Sequence, residues 1–452
     1  MYRLLLAICS VLFSSAVFAQ EDSLFIRKLA DEILVNGKAY TNLHTLTKSI
    51  GGRLSGSPQT YKAEQWGRQV LQDAGADKVY LQECKIPHWV RGGKDEAKLI
   101  TGNKEIPLNV LALGNSVSTG AKGITAPVLL INSFDELEQR KNEVRGKIIF
   151  YNYKFNSKLV NTFRAYGDAV TYRAHGASRA AKYGAVAAIV RSMTHATNNF
   201  PHTGGMIYND SFPKIPTLAV GLWDADKLVS AIQQNKNMRV FVRTNAHALP
   251  DTTGYNVIGE LTGSVFPDQF ITVGGHLDSW DPAEGAHDDG AGCVHSIEVL
   301  RALKAVGYRP RHTIRVVLFT DEENKGGGSS KYLEKAQNEK HVFALESDAG
   351  GFTPRGFRIS LANEPLEKIR RWIPLMQEYG AYEFETGSGG ADVDSLNIKL
   401  GIPVAELIPD SQRYFDYHHA ANDVFENVNK RELELGAVNI AALIYLVDKY
   451  GL

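Results

Sequence analysis

The sequence predicts an α/β fold built on a mainly parallel sheet, and two observations carry that reading. Apolar, β-branched runs such as QFITVGG (269–275), TIRVVLFT (313–320), HVFALES (341–347) and PVAELI (403–408) alternate with long helical stretches such as CVHSIEVLRALKAV (293–306) and ELGAVNIAALIYLVDKY (434–450). That succession lays strands side by side with helices between them. Histidines and carboxylates come directly after several of the runs, and ligands of open α/β sheets bind beyond the carboxyl ends of the strands.

From the N-terminus, MYRLLLAICSVLFSSAVFAQ (1–20) has one positive charge, an apolar run from Leu4 to Phe13 and short side chains at Val17 and Ala19. This is the pattern of a signal peptide over 1–19, cut after Ala19. The apolar run falls short of the ~20 residues that span a bilayer, and no later segment is long enough. The expectation is a secreted protein, periplasmic or extracellular, with no membrane span. Processing leaves Cys84 and Cys293, which either pair or stand as two buried thiols, so a cysteine-stapled scaffold is excluded.

The remaining elements follow in order. Apolar positions recur at three-to-four spacing in ADEILVNGKAYTNLHTLTKSI (30–50) and AEQWGRQVLQDAG (63–75), which predicts helices, and KVYLQECKIPHW (78–89) alternates like a strand. Between 108 and 250 the character changes to short strands with glycine turns, in GITAPVLLIN, GKIIFYN, AVAAIVR and PTLAVG, with a helix through RAAKYGA. That stretch reads as an inserted unit of its own, between a first part of the main domain over 20–107 and a second over 251–452. A chain of 452 residues, 44% hydrophobic, has material for more than one core. Lysine plus arginine equal aspartate plus glutamate at 50 each, so no net field favours nucleic acid or anionic lipid, and the expected partner is small.

The chemistry is written at the strand ends. His276 and Asp278 follow QFITVGG, Glu322 and Glu323 follow TIRVVLFT, Asp348 follows HVFALES, and His418 and His419 lie after PVAELI. Asp288 and Asp289 close the turn before the helix that begins near Ala291. Imidazole and carboxylate ligands from several strands suit zinc, and two histidines with three or four carboxylates exceed what one zinc needs. Each piece alone has a plainer reading. The aspartate pair caps a helix, Asp348 forms a turn, the glutamates are surface charges, HHAAND is a loop, and His287 and His295 are surface or packing residues. Their coincidence at sheet ends is what favours a metal.

The strings GGHLDSW, AHDDGAG, FTDEE, ESDAGG and YFDYHHAAND resemble, in this order, the metal motifs of the co-catalytic di-zinc exopeptidases, which include bacterial leucyl aminopeptidases and glutamate carboxypeptidase. The plasma glutamate carboxypeptidase group within that family also resembles the chain at IPHWVRGG (86–93) and HLDSWD (276–281). The resemblance implies a three-layer fold with a mixed, mainly parallel central sheet and an inserted protease-associated domain over 108–250. It implies two Zn2+ per chain: His276 and Asp348 on one, Glu323 and His419 on the other, and Asp288 bridging both. His419 is preferred because Asp423 stands four residues on, with His418 as the fallback. Glu322 matches the general base, Asp278 the carboxylate that orients His276, and the Asp288-Asp289 peptide is expected to be cis. Gly389, Gly390 and Asp392, in ETGSGGADVDSL (385–396), fall where family members contact substrate. A homodimer follows from the resemblance alone.

The functional expectation is a secreted zinc exopeptidase cleaving dipeptides or short peptides. An aminopeptidase on the same fold and a catalytically silent binding module are the competing readings; the complete set of motif residues argues against the silent one. Cobalt or manganese would also suit these ligands. His195, His202 and Phe200 read as ordinary loop residues, with a lid as the alternative. Trp89 and Arg91 either contact substrate or form a packed aromatic with a salt-bridged neighbour.

Overall fold

The computed structural model describes residues 20–452, so the signal peptide expected over 1–19 lies outside the described residues. The strands in chain order are β1 (Lys78–Val90), β2 (Glu96–Thr101), β3 (Lys104–Leu108), β4 (Val110–Ala112), β5 (Ile124–Ile131), β6 (Ile148–Tyr151), β7 (Ala187–Arg191) and β8 (Thr217–Val220). They continue with β9 (Arg239–Arg243), β10 (His247–Leu261), β11 (Phe266–His276), β12 (His312–Phe319), β13 (Lys340–Glu346), β14 (Pro354–Ile359), β15 (Glu383–Thr386) and β16 (Val404–Pro409). Two mixed eight-stranded sheets result.

The first sheet has the order β1-β10-β12-β11-β13-β16-β14-β15. Its middle, β12-β11-β13-β16, is parallel, while β1, β10 and β14 join antiparallel. Alternation along β12 shows why both faces are covered. Ile314, Val316 and Leu318 enter one core with the helix over 20–36 and the helices Pro58–Asp73, Ala291–Ala305 and Lys430–Tyr450. Val317 and Phe319 enter another, with Tyr332 and Ala336 of the helix Gly327–Ala336 and Leu396 of Asp394–Leu400. The sheet is the middle of three layers, as a parallel core requires. Helix Lys430–Tyr450 starts where the Asn429 side chain accepts from the N–H groups of Arg431 and Glu432, a cap worth about 1 kcal/mol over alanine. It buries Ile440, Leu443, Ile444 and Val447 completely, roughly 1.5–3 kcal/mol each.

The second sheet, β3-β2-β9-β5-β6-β7-β8-β4, lies between β1 and β10 in the chain. Helix Leu222–Gln234 covers one face and Thr162–Ala181 the other. β2 pairs with β9, so this sheet draws in residues 96–107, ahead of the 108 boundary read from composition. Where the sheets meet, Trp280 packs onto Gly114, whose absent Cβ would stand 1.9 Å from the indole. Among the described residues no helix is long and apolar enough to cross a membrane, and Cys84 and Cys293 are both buried and free.

Candidate metal centre

Parallel strands bring their carboxyl ends to one edge, and that edge holds the cluster. β11 ends at His276; β12 runs out into Glu322 and Glu323; β13 is followed by Asp348; His418 and His419 follow β16 and a short helical turn, Tyr414–Tyr417. Asp288 comes from the turn Ala286–Gly290 that leads into Ala291–Ala305, and the Asp288-Asp289 peptide is cis.

Asp288 lies between two groups. Its Oδ1 is 3.2 Å from His276 Nε2, which is 3.3 Å from Asp348 Oδ1. Its Oδ2 is 3.2 Å from His419 Nε2, which is 3.0 Å from Glu323 Oε2. His276 Nε2, Asp288 Oδ2, Glu323 Oε1 and Asp348 Oδ1 are buried with no hydrogen-bond partner. Buried polar atoms are rarely left so, and nitrogen and carboxylate oxygen are what zinc binds, so the residues present fit the metal. The ring orientations agree. His276 Nδ1 faces the Asp278 carbonyl at 3.0 Å, and His419 Nδ1 faces the Thr203 carbonyl at 3.2 Å. A carbonyl only accepts, so in the neutral rings Nδ1 carries the hydrogen and the Nε2 lone pair faces the carboxylates. Burial pulls the His276 pKa down, yet Asp348 and Asp288 outweigh it and hold the ring well above its ordinary range. Glu323 and Asp288 do the same to His419. The cluster demands positive charge, from protons or from metal.

Glu322 stands at the rim, its Oε2 3.9 Å from His276 Nε2 and its side chain 23% exposed. Its backbone is held by Asp278, and here the structure departs from the sequence reading. The Asp278 carboxylate is 3.8 Å from His276 Nδ1. It accepts instead from Ser55 Oγ at 2.8 Å and from the N–H groups of Glu322 at 3.1 Å and Glu323 at 3.4 Å. The carbonyl of Asp278 orients His276, and its side chain positions the glutamates. The sequence missed three further supports. Asp289 accepts the His276 N–H at 3.0 Å; Asp423, used only as a spacing marker, accepts the N–H groups of His287 and Asp288 at 2.8 and 3.1 Å. Arg53 donates to the carbonyls of Leu277, Glu284 and Gly285, fastening the loop between the two motifs.

His418 lies 3.7 Å from Asp288 Oδ2 and stacks on His419; burial and cationic His419 pull its pKa well down. Gly389, Gly390 and Asp392 are not among the residues lining the cleft over the cluster. A Cβ on Gly390 would stand 2.3 Å from Glu346 Oε2, and one on Gly389 within 3.0 Å of Val393 and Val404. The loop therefore needs glycine for internal packing, and Asp392 is 1% exposed. His287 and His295 are buried and bonded to the carbonyls of Asn427 and Leu433. Arg91 forms a two-pronged ion pair with Asp281, both contacts at 2.7 Å, beside buried Trp89. His195 packs on Phe155, and none of His195, Phe200 and His202 lines the cleft.

That cleft measures about 420 Å³, its floor Asp288, Glu323, Asp348 and His419 with Glu322, its wall Tyr166, Arg173, Met206 and Ile207 from the chain of the second sheet. No sequence signal singled out Arg173.

Comparisons with known proteins agree with this architecture. The model of peptidase family M28 matches residues 256–444. Carboxypeptidase Q of Mus musculus is 36% identical over 412 residues, 91% of this chain and 85% of its own. Aminopeptidase YwaD of Bacillus subtilis is 24% identical over 430 residues, 90% of this chain and 84% of its own. The crystal structure of a peptidase M28 precursor from Shewanella amazonensis superposes with a TM-score of 0.90 at 31% identity, covering 95% of this chain and 97% of that one.

Proposed function

The chain belongs to peptidase family M28 and is a zinc-dependent metallopeptidase, and from that premise we propose that it is a secreted exopeptidase cleaving dipeptides or short peptides with a free C-terminus. The observation that carries the reading is Asp288, whose two oxygens each face a separate histidine–carboxylate pair at 3.2 Å. His276 and Asp348 would hold one zinc with Oδ1, and Glu323 and His419 a second with Oδ2. Two zinc ions so held supply Lewis acidity and lower the pKa of water, as in other two-metal sites.

The other roles fall to the chain's own groups. Glu322, outside both ligand pairs and open to the cleft, takes a proton from the attacking water on its carboxylate and passes it to the leaving amine. Asp278 and Asp289 position these groups through backbone hydrogen bonds. The unit between β1 and β10 is a protease-associated domain that walls the cleft and limits the length of peptide admitted.

A panel of unblocked dipeptides, N-blocked peptides and aminoacyl anilides, with and without a chelator, tests the proposal. Chelator-sensitive hydrolysis of peptides with a free C-terminal carboxylate is expected. Efficient cleavage of the anilides would favour the second reading, an aminopeptidase, to which the similarity with aminopeptidase YwaD points.

A further inference from the structure

We infer that Arg173 receives the C-terminal carboxylate of the peptide, an assignment that rests on the exopeptidase reading and names the group that sets its direction. The cleft is acidic: Asp288, Glu322, Glu323 and Asp348 line it, and Glu406 is already paired with Arg358 at 2.7 Å. Among the described lining residues Arg173 is the only lysine or arginine. It comes from helix Thr162–Ala181, whose residues belong to the second sheet's side of the cleft.

Arg173 is 7% exposed, so its guanidinium sets a charged, donor-only group in the wall of the cleft. A buried charge is costly unless paired. Other buried arginines have their donors taken up: Arg315 is met by Glu260 and Glu339 at 2.8 and 2.7 Å, and Arg53 by the carbonyls of Leu277, Glu284 and Gly285. Arg173 is not so met. Nη2 donates to Tyr166 Oη at 2.6 Å, Nη1 has only a long contact to the Thr203 carbonyl at 3.4 Å, and Nε is buried with no partner. Nη1 is also 3.3 Å from His419 Nδ1, but with Nδ1–H turned to Thr203 both atoms are donors and no bond forms. Gly204 keeps the place open: at φ +129° a Cβ would stand 2.4 Å from Nη1.

Position narrows the alternatives. A peptide amino terminus would be repelled. One imidazole separates the guanidinium from Glu323 and Asp288, and one residue of extended chain spans at most ~3.6 Å. The carboxylate that reaches Arg173 therefore belongs to the residue just after the scissile bond, and as the α-carboxylate of that residue it makes the cut an exopeptidase cut.

The test uses zinc-loaded wild type, Arg173→Met and Arg173→Lys, with zinc content measured on each, against Ala-Leu, Ala-Leu-NH2 and Ala-Glu-NH2. Wild type is expected to prefer Ala-Leu to its amide. Arg173→Met is expected to lower the acid-to-amide ratio of kcat/KM by about 10- to 100-fold, mainly through KM, the loss of a charge-assisted hydrogen bond. Zinc content should hold, and Arg173→Lys should recover part of the ratio. Calorimetry with a reduced-amide analogue of Ala-Leu, acid against carboxamide, should show the same dependence without turnover. An unchanged ratio in Arg173→Met overturns the assignment, as does an equal fall on acid and amide with loss of zinc, which would make the arginine a support for His419. A preference for Ala-Glu-NH2 that depends on Arg173 overturns it in favour of a side-chain carboxylate. Wild type that treats acid and amide alike refutes the free-C-terminus reading itself, whatever the variants do.

Discussion

Replacing Gly390 by alanine separates a packing glycine from a substrate-contacting one. The new Cβ would lie 2.3 Å from Glu346 Oε2, 2.5 Å from Cδ and 2.7 Å from Cγ, so the carboxyl must move by about an ångström. Glu346 has nowhere inexpensive to go: it is completely buried, and Oε2 accepts from the N–H groups of Asp392 at 2.9 Å and Val393 at 3.2 Å. Overpacking of this kind costs about 1–3 kcal/mol, and two disturbed hydrogen bonds add roughly 0.5–1.5 kcal/mol each. The sum is about 2–6 kcal/mol, a fall in Tm of roughly 2–6 °C for a chain of this size. Because Gly390 packs on Glu346 and is not among the residues lining the cleft, KM for a dipeptide should stay within about twofold. Thermal unfolding of the zinc-loaded protein and steady-state kinetics read the two quantities. A Gly390→Ala variant with wild-type stability and a raised KM would refute the packing argument and restore the loop to the substrate.

Glu322→Gln should retain the wild-type zinc content by elemental analysis and lose about 10²- to 10⁴-fold in kcat, the contribution of a positioned general base; lost zinc would instead make Glu322 a ligand. Chelation should lower the unfolding temperature, and restoring zinc at about 1,000 times its dissociation constant should return about 4 kcal/mol; a Tm independent of zinc concentration would contradict a folded-state metal site. Burial pushes the Glu64 carboxyl up to about 7 from its ordinary 4.5, against the Tyr255 N–H that pulls it down. Its folded pKa being raised, the stability it lends is complete below pH 4.5 and fades as pH rises to about 7, by about 3 kcal/mol. Denaturant unfolding should therefore show wild type losing more stability than Glu64→Gln between those values, and parallel profiles would exclude the effect.

The parallel core was legible because β11, β12, β13 and β16 are continuous apolar runs, the mark of strands buried on both faces. The clustered residues were legible because all but Asp288 come after such a run and each repeats a family motif. What stayed hidden depends on distant backbone. Nothing local to Asp278 says that its carbonyl, not its carboxylate, meets His276, since the choice is made by Ser55 and by the N–H groups of Glu322 and Glu323 competing for the side chain. Arg53 and Asp423 look like surface charges until the loop they fasten is folded against them. Gly389 and Gly390 suggest an open backbone, whereas the space their missing side chains leave is filled by Val404 and Glu346.

The second sheet's part in the centre goes beyond walling the cleft. His419 is a non-glycine residue at φ +60°, a conformation that costs of order 1–3 kcal/mol and persists only where the surroundings impose it. Thr203 imposes it from both sides, its N–H donating to the His419 carbonyl at 2.9 Å and its carbonyl facing Nδ1 at 3.2 Å. Thr203 is anchored in turn to the second sheet, its hydroxyl donating to the carbonyl of Ala112 on β4 at 2.8 Å. The histidine proposed for one zinc thus takes its backbone conformation and its tautomer from the inserted chain, while His276, at the end of β11, takes both from the first sheet's own loop. The two halves of the proposed site are unequal for that reason: the His276 side is complete within the first sheet, and the His419 side depends on how the second sheet is seated.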